Sequence, residues 1–506
     1  MPGLNTEVEL KLRLLAPEAW EGVFAASAVA EMLLTPPQDE HLESWYFDTA
    51  EGDLQEAGLA YRIRLEGGRW VATVKTDGSA AGGLHERREW NVTVDGPEPS
   101  YDYFRATEAG PLLAAAAGDA PLEPRFSTVF DRRRADVAFA DSRIEVAADR
   151  GMILAGGREE AIAEVELELK EGSAAAVLAL GAELARQLPL AVEPRSKYFR
   201  ALVLAGLDEG FEPAAPALVE PEDAVVPAVR SLVAGQIHTV LDTYAKFTAD
   251  DKDIERLHRL RIELRRLRSL VAFAKPLAEP TGYAAWQSEL RALSRATHDL
   301  RETDVIGEVW EEMLAARTPL APPPWLAMLL ATEREKLVAE LKANLGDQGR
   351  ITGTLLAFRS WLADERSLQP RDLSLEDFAA SRVGGWLDDM RTAGKDIGLE
   401  DAAALHQLRI EGKKVRYVLE RLPFEDRRTS MLVARLRKLQ DCLGQVHDAV
   451  RIDTVMGRWM SEHASRTVHR DAGLLMGWMT RLRVEAGGEF AAAWKRFRRA
   501  AKRWRK

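Results

Sequence analysis

Charged and aliphatic residues alternate strictly near the start of the chain. From Glu7 to Leu14 the sequence reads EVELKLRL, with a charge at every odd position and an aliphatic residue at every even one. Successive side chains of a β-strand point to opposite faces, so this segment predicts a strand with one charged and one apolar face. Related patterns predict further strands at 42–48, 59–65, 69–75, 86–94, 124–134, 143–149 and 161–170, and a possible last one near 195–204. Helical patterns interrupt them at 17–33 and 173–187.

The pattern changes in the second half of the chain. Residues 207–223 are rich in Pro, Ala and acid, which predicts a linker. From residue 224 to 506 the apolar positions follow a period of 3.6, which is typical of α-helices. We therefore expect an α+β protein with a β-rich domain at 1–206, a linker at 207–223 and an all-α domain at 224–506.

The helical half contains an internal repeat. LHRLRIE at 257–263 recurs as LHQLRIE at 405–411, and each copy leads to a second helix, at 290–305 and 436–450. Basic residues follow each histidine after seven and ten positions, as Arg265 and Arg268 in one copy and Lys413 and Arg416 in the other. Two similar helical hairpins predict a duplicated, pseudo-symmetric domain.

The charge is distributed unevenly. The whole chain of 506 residues carries a net charge of -11. Residues 1–224 have 21 basic and 41 acidic side chains, whereas residues 225–506 have 48 and 39. The single cysteine, Cys442, excludes an internal disulfide. With no signal-peptide pattern and no apolar run of membrane-spanning length, we expect a cytoplasmic protein with no membrane partner.

The charged strand faces predict an enclosed polar tunnel. A solvated sheet face is the simplest interpretation of any one strand, but Glu-x-Glu and Arg-x-Arg recur across several of them. Like charges held so close require counter-charge or metal. Closing eight strands into a barrel would gather these side chains around a lumen. Carboxylates there suit Mg²⁺ or Mn²⁺, and Arg and Lys suit phosphate, so the tunnel predicts metal-assisted cleavage of a linear polyphosphate.

Eight motifs spaced along residues 4–204 carry a family resemblance. EVELK resembles the Glu-x-Glu-x-Lys signature of the CYTH family, the triphosphate tunnel metalloenzymes. Later motifs agree in order: WYFDT, YRIRL, ATVKT, RREWN, IEVAADRG, AEVELELK and PRSKYFRA. The resemblance implies an eight-stranded antiparallel β-tunnel that cleaves or rearranges triphosphate-containing substrates with a divalent metal.

The resemblance also implies roles for individual residues. The implied metal ligands are Glu7, Glu9, Glu164, Glu166 and Glu168, and the implied substrate-binding residues are Arg62, Arg64, Arg87, Arg132 and Lys197. Catalytic roles fall to Glu7, Glu9, Lys11 and Lys75, where either lysine could assist as a base if neighbouring cations lowered its pKa. Asn91 stands where many relatives have an acid, which leaves a second metal open.

The duplicated helices resemble the CHAD family of conserved-histidine α-helical domains, over about 225–506. The resemblance implies polyphosphate binding by a basic face repeated in both hairpins. The residues are His258, Arg261, Arg265, Arg268, Arg291, Arg295, Arg301, His406, Arg409, Lys413, Arg416, Arg435 and Lys438. The histidines could instead be metal ligands or make structural hydrogen bonds. The basic tail at 492–506 could touch nucleic acid, although a solvated helix end is the simpler interpretation.

Together these features predict a hydrolase that converts inorganic triphosphate to pyrophosphate and phosphate with Mg²⁺ or Mn²⁺. The helical domain would bind longer polyphosphate. Alternatives are thiamine triphosphatase or adenylate cyclase activity in the same tunnel, a non-catalytic polyphosphate-binding scaffold, and a nucleic-acid binder. Nucleic acid is the least favoured of the partners.

Overall fold

The computed structural model describes residues 6–76, 79–81, 84–208, 219–316, 324–345, 349–395, 397–398, 401–462 and 465–504. The strands are Thr6–Leu14 (β1), Gln38–Asp48 (β2), Leu59–Glu66 (β3), Arg69–Thr76 (β4), Ser79–Ala81 (β5), Leu84–Val94 (β6), Glu123–Phe139 (β7), Ser142–Ala155 (β8), Arg158–Glu171 (β9) and Leu190–Val192 (β10). Most of the expected linker, residues 209–218, lies outside the described residues.

Short helices lie between the strands, and long helices dominate after β9. They are Ser27–Ala30 (α1), Asp53–Glu56 (α2), Ala109–Ala117 (α3), Ala174–Gln187 (α4), Lys197–Ala205 (α5), Val225–Ala249 (α6), Ile254–Ala274 (α7), Pro280–Ala296 (α8), His298–Ala315 (α9), Pro324–Leu345 (α10), Arg350–Ala363 (α11), Leu375–Ala393 (α12), Ala402–Leu419 (α13), Arg427–Glu462 (α14) and Arg466–Trp504 (α15). None of the described helices combines the length and the apolar character that crossing a membrane requires.

Eight antiparallel strands close into a barrel, as the sequence predicts. Their order is β1-β9-β8-β7-β2-β3-β4-β6, and β6 pairs back with β1. Closure removes the exposed edges of the sheet and gives every strand an inner and an outer face. The short strands β5 and β10 extend the sheet beside β6 and β1.

The alternation of β1 is explained by the surroundings of its two faces. Leu10 and Leu12 are fully buried on the outer face, where α4 packs against β1 and β9. Glu9 and Lys11 point the other way and are also buried. Both faces of this strand are therefore removed from bulk water, and its charges can be kept only by pairing inside the barrel.

One end of the barrel interior is apolar. Leu42, Phe126, Phe130 and Ile153 form a core there with the buried face of α5. The possible last strand near 195–204 is wrong, because these residues form α5 instead. The Ser196 hydroxyl accepts a hydrogen bond from the Phe199 amide at 3.1 Å, which caps the first turn of a helix.

The region expected to be helical at 17–33 is only partly so. It contains a 3₁₀ turn at Pro17–Gly22 and the single-turn helix α1. The helix expected at 173–187 is present as α4, with Ser173 at its N-cap.

The chain folds into two compact units that are not divided by a single cut. One comprises Met1–Pro216, Ile237–Ala245 and Asn344–Asp364, and the other comprises Ala217–Gln236, Lys246–Ala343 and Glu365–Lys506. The sequence-based division into 1–206 and 224–506 differs from this mainly at α11, which lies with the barrel.

Small residues bring α11 very close to α4. Gly349 has φ +57°, and a Cβ added to it would lie 1.8 Å from the Ala185 carbonyl oxygen. A Cβ on Gly353 would lie 3.0 Å from the Ala182 carbonyl oxygen, and the Ser360 hydroxyl donates to the Ala175 carbonyl at 2.9 Å. The backbones of the two helices are therefore in direct contact.

The second unit contains the repeated hairpins. The two copies of the repeat lie on α7 and α13, which pack against each other. Leu257, Leu260 and Leu264 are fully buried on α7, and Leu405 and Leu408 are buried on α13. A separate core joins α9, α10, α14 and α15 around Trp310.

Replacing Gly349 by Ala should destabilise the protein by roughly 2–4 kcal/mol, because the new methyl group clashes with the α4 backbone. Gly157→Ala is the matched control, since Gly157 also has positive φ (+72°) but no heavy atom within 4 Å of an added Cβ. It should show only the backbone strain, about 1 kcal/mol. Thermal unfolding of the full chain measures both. Equal shifts in the two variants would contradict this account of the α4–α11 contact.

Candidate functional site

The polar part of the barrel interior is a cavity of about 780 Å³. Ten basic and eight acidic side chains are among the 28 residues that line it. This density of charge in an interior requires extensive pairing. Of the tunnel residues identified from the sequence, all line the cavity except Glu164, whose side chain is only 1% exposed and lies behind the lining.

Glu7 and Glu9 on β1 are held by cations from neighbouring strands. Arg87 on β6 donates from Nε to Glu7 at 3.0 Å and from Nη2 to Glu9 at 2.7 Å. Lys75 on β4 lies 3.0 Å from Glu7 and 2.7 Å from Glu89. Burial alone would raise the pKa of Glu7, but Lys75, Arg87 and Lys11 lower it well below its usual range. The carboxylate is therefore ionised and ready to bind a cation.

Three buried acids from β8 and β9 form a second group. Potential ligand oxygens of Asp149, Glu164 and Glu166 lie within 4.8 Å of one another. The Lys197 ammonium donates to all three, at 2.7 Å to Asp149 and 3.0 Å to Glu166. Arg132 makes a bidentate pair with Asp149, with both bonds 2.7 Å long. Metal binding to this group would require Lys197 to move away.

Carboxylates also lie side by side across β1, β9 and β8. The register pairs Glu9 with Glu168 and Glu168 with Glu145, so like charges are directly opposite one another. Burial raises the pKa of Glu168, Lys170 at 2.7 Å offsets only part of this, and Glu7 and Glu145 raise it further. This row is a place where additional positive charge would be stabilising.

Two arginines on β3 give that part of the cavity an excess of positive charge. Within the described residues, neither Arg62 nor Arg64 forms an ion pair with a carboxylate. Arg64 donates from Nε to the Ser44 hydroxyl at 2.9 Å, and Arg62 donates to the Thr73 hydroxyl at 3.3 Å. Burial, Arg62 and Arg132 lower the pKa of Arg64 to about 10. Arg64 therefore remains charged at neutral pH.

The barrel order places these two groups on opposite walls. Three strands lie between β9 and β3 in either direction around the barrel. Glu166 and Glu168 therefore project from the wall opposite Arg62 and Arg64. The cavity combines a wall suited to a cation with a wall suited to an anion.

The structure also identifies site residues that the sequence analysis did not select. They are Asp149, Glu145, Glu89, Lys170, Arg134 and Tyr46. Most lie on strands whose alternation was recognised. An even spacing along the strand from an inward residue such as Glu164 or Arg132 could have identified them. Tyr46 had no such signal, because an inward aromatic residue cannot be told from a core residue by periodicity alone.

Lys11 does not meet the condition for acting as a base. Burial would lower its pKa, but Glu166 and Glu9 raise it above the usual value. Its ammonium lies 2.9 Å from Glu9 and also contacts Glu166. Lys11 is therefore a permanent cation at neutral pH.

A cluster of cations joins the two repeats in the second unit, and we call it the cationic cluster. Arg265 on α7 interacts electrostatically with Arg409 and Lys413 on α13. Neighbouring helices add cations around Arg261 and Arg268. The cluster comprises His258, Arg261, Arg265, Arg268, Arg291, Arg295, Arg301, His406, Arg409, Lys413, Arg416 and Arg451.

Several cations of the cationic cluster have no ion-pair partner in the part of the chain that the structure describes. Among the described residues no ion pair involves Arg265, Arg268, Arg291, Arg295, Arg409 or Lys413. Arg301 pairs with Glu308, Arg416 with Glu420 and Arg451 with Glu302. Burial, then Arg265 and Arg409, lower the pKa of Lys413 to about 6. Asp448 acts electrostatically on Arg409 and Lys413 but offsets only part of this positive charge, so the cluster attracts anions.

Two residues that the sequence analysis expected in the cationic cluster are not part of it. Lys438 pairs with Glu489 on α15 at 2.7 Å, and Arg435, on the same helix, makes no described ion pair or hydrogen bond with the cluster. Conversely, Arg451, His298 and His447 were not selected from the sequence. The dipeptide His-Asp recurs at 298–299 and 447–448, and this repetition was a usable signal.

The histidines do not form a described metal site with each other. The His406 ring stacks on His447 with centroids 4.6 Å apart, and burial lowers the pKa of His406. The group of potential ligands described in this unit is His298, Asp299 and Glu302, where Arg451 already donates to Glu302 at 2.9 Å. Neither His258 nor His406 belongs to it.

Comparisons with known proteins agree with both halves of this arrangement. The CYTH domain model matches residues 5–201, and the CHAD domain model matches residues 231–456. An inorganic triphosphatase of Haemophilus influenzae is 34% identical over 168 residues, which are 33% of this chain and 46% of that protein. The chain thus spans less than half the length of this relative.

Solved structures show more distant likeness. The CHAD domain of the plant Ricinus communis is 18% identical and covers 58% of this chain and 97% of its own, with a TM-score of 0.47. A Hippeastrum protein, described as an adenylyl cyclase with dominant triphosphatase activity, is 21% identical and covers 38% of this chain and 95% of its own, with a TM-score of 0.29. With an eight-stranded tunnel followed by duplicated basic hairpins, the chain combines a CYTH domain at residues 5–201 with a CHAD domain at residues 231–456.

Proposed function

We propose that the tunnel hydrolyses inorganic triphosphate to pyrophosphate and phosphate with a divalent metal ion. We further propose that the cationic cluster of the helical domain binds longer polyphosphate. One observation supports the first proposal above all. The acidic wall of β9 and β1 lies opposite two arginines of β3 that form no described ion pair. A triphosphate chain with its metal ion would satisfy both walls at once.

The donor set fits a hard divalent cation. Glu7 and Glu9, with Glu166 and Glu168 opposite β1, offer carboxylate oxygens, the ligands that Mg²⁺ and Mn²⁺ prefer. Glu164 and Glu166 would each have to release cations first, because Lys197 and Arg200 bind the oxygens of Glu164, and Lys11, Lys197 and Arg132 bind those of Glu166. When bound, such an ion would polarise a phosphoryl group and lower the pKa of a water molecule.

The protein's own side chains would bind and orient the phosphate chain. Arg62 and Arg64 would take phosphate oxygens from one side, since neither pairs with an acid among the described residues. Arg87, Arg132 and Lys197 would exchange part of their carboxylate contacts for phosphate. Lys11, whose pKa is raised, would stabilise negative charge as a cation and would not remove protons, and Lys75 is paired with Glu7 and Glu89. Holding the substrate in line with the attacking water is the main contribution expected.

The proposal for the helical domain depends on its unpaired cations. Six Arg and Lys side chains without described ion pairs come together from α7, α8 and α13. A linear polyanion could contact several at once, and affinity would then depend strongly on salt.

Glu7→Gln combined with Glu9→Gln should reduce phosphate release from tripolyphosphate at least ~100-fold, because two metal-binding charges are lost. Malachite-green assays with Mg²⁺, Mn²⁺ or EDTA measure this. Glu159→Gln, on the exposed end of β9, is the control and should leave the rate unchanged. A wild-type protein that releases no phosphate from tripolyphosphate, ATP or thiamine triphosphate would refute the enzyme proposal, and a preference for either organic substrate would redirect it.

Arg265→Gln with Arg409→Gln should weaken binding of long-chain polyphosphate roughly tenfold or more, because two adjacent unpaired cations disappear. Arg435→Gln with Lys438→Gln removes the same charge outside the cluster and should change affinity little. Fluorescence titration at fixed salt measures both, and RNA should compete only weakly. Equal losses in the two double variants would argue for diffuse charge attraction in place of a defined site.

Polyphosphate affinity should fall as the pH rises from about 5.5 to 8. Below its pKa of about 6 Lys413 is charged, and above it the free protein presents a neutral amine. The anion favours the charged form, so binding takes up a proton and weakens by up to roughly tenfold per pH unit above this pKa. Lys413→Arg stays charged and should bind with a much flatter pH profile. An unchanged profile in this variant would assign the dependence to other groups, such as His258 and His406.

A further inference from the structure

Phe130 lies at the boundary between the apolar end of the barrel and the charged cavity. Its side chain is only 1% exposed and faces inward from β7, next to Arg132 on the same face. Leu42 and Ile153 belong to the same core cluster. A packing role would account for its burial but not for the charges around it.

Three cations from three elements surround the Phe130 ring. The Arg64 guanidinium carbon of β3 lies 5.6 Å from the ring centroid, and that of Arg132 lies at 5.7 Å. The Lys197 ammonium of α5 is 4.9 Å from the same centroid. All three distances are within the range of a cation–π interaction. One ring thus contacts three of the five cations proposed to bind substrate.

The ring supplies attraction where carboxylates are shared or missing. Arg132 and Lys197 share the carboxylates of Asp149 and Glu166, and Lys197 also binds Glu164. Arg64 has the Ser44 hydroxyl but no described ion pair. The negative face of an aromatic ring stabilises a desolvated cation without neutralising it. The cations therefore keep the charge that a phosphate chain requires.

Gly151 fixes the position of the ring from the neighbouring strand. It pairs with Phe130 in the β7–β8 register. A Cβ added to Gly151 would lie 2.4 Å from the Phe130 Cβ and 2.2 Å from the Val129 carbonyl oxygen. Only glycine allows this close approach, which holds Phe130 at one place in the barrel.

We propose that Phe130 is a positioning residue whose ring holds Arg64, Arg132 and Lys197 in the arrangement that receives the phosphate chain. This inference rests on the proposed triphosphatase function. Phe130 acts through the three cations and has no contact with the reacting atoms. Its loss therefore affects substrate affinity more than the turnover of bound substrate.

Phenylalanine analogues at position 130 with one, two and three ring fluorines provide the test, because fluorination weakens the ring's negative face while nearly preserving its shape. The KM for tripolyphosphate should rise stepwise, by roughly three- to tenfold over the series, with a smaller change in kcat and little change in unfolding temperature. Phe130→Leu should raise KM by at least as much. The same series at Phe126 is the control, since Phe126 is buried in the same cluster and its described ring contacts are with Tyr46 and Tyr198.

A flat KM across the Phe130 series, or an equal rise at Phe126, would overturn the inference and leave only packing. Failure of the underlying function is separately visible, because the unmodified protein would then release no phosphate. In that event, the affinity for tripolyphosphate is measured for the fluorinated series in the Arg265→Gln/Arg409→Gln protein, in which binding by the cationic cluster is weakened. Affinity that weakens stepwise with fluorination supports the positioning role, and affinity that does not change, or no binding at all, refutes it.

Discussion

Neutralisation of like charges inside a closed barrel is the constraint on which the first domain depends. Most inward strand positions that line the cavity carry a charge or a polar group, and α4 covers the outer face at β1 and β9. Lys11, Arg87 and Lys197 keep the acids ionised in the absence of metal. Under the proposed function, metal and phosphate would replace these same pairs.

Strand existence and face could be predicted because both depend on local alternation. The eight barrel strands and the inward side of Glu7, Arg62 and Lys75 follow from a period of two. The partners of these residues could not be predicted, because register between distant strands is a tertiary property. The row formed by Glu9, Glu168 and Glu145 exists only through the pairing of β1, β9 and β8. The helix at 197–205 was mistaken for a strand because one buried face on a short segment satisfies either period.

In the helical domain, repetition was the most informative signal. It indicated α7 and α13 as equivalent elements, and these helices bring Arg265 and Arg409 together. It was less informative for the second helices, where Lys438 pairs with Glu489 and Arg451 takes a place in the cluster. The partner of a charged side chain on a helix depends on which helix packs beside it, and a single sequence does not state which helix that is.

The packing of α11 on α4 bears on how such a protein can be shortened or recombined. Gly181 of α4 lies over Leu10 of β1, and an added Cβ there would also lie 3.5 Å from Leu356 of α11. A fragment ending at residue 206 would retain all eight barrel strands but expose the small-residue surface of α4 to water. Gene fusions and expression fragments that treat the first 206 residues as an independent module would thus lose a helix encoded about 150 residues downstream.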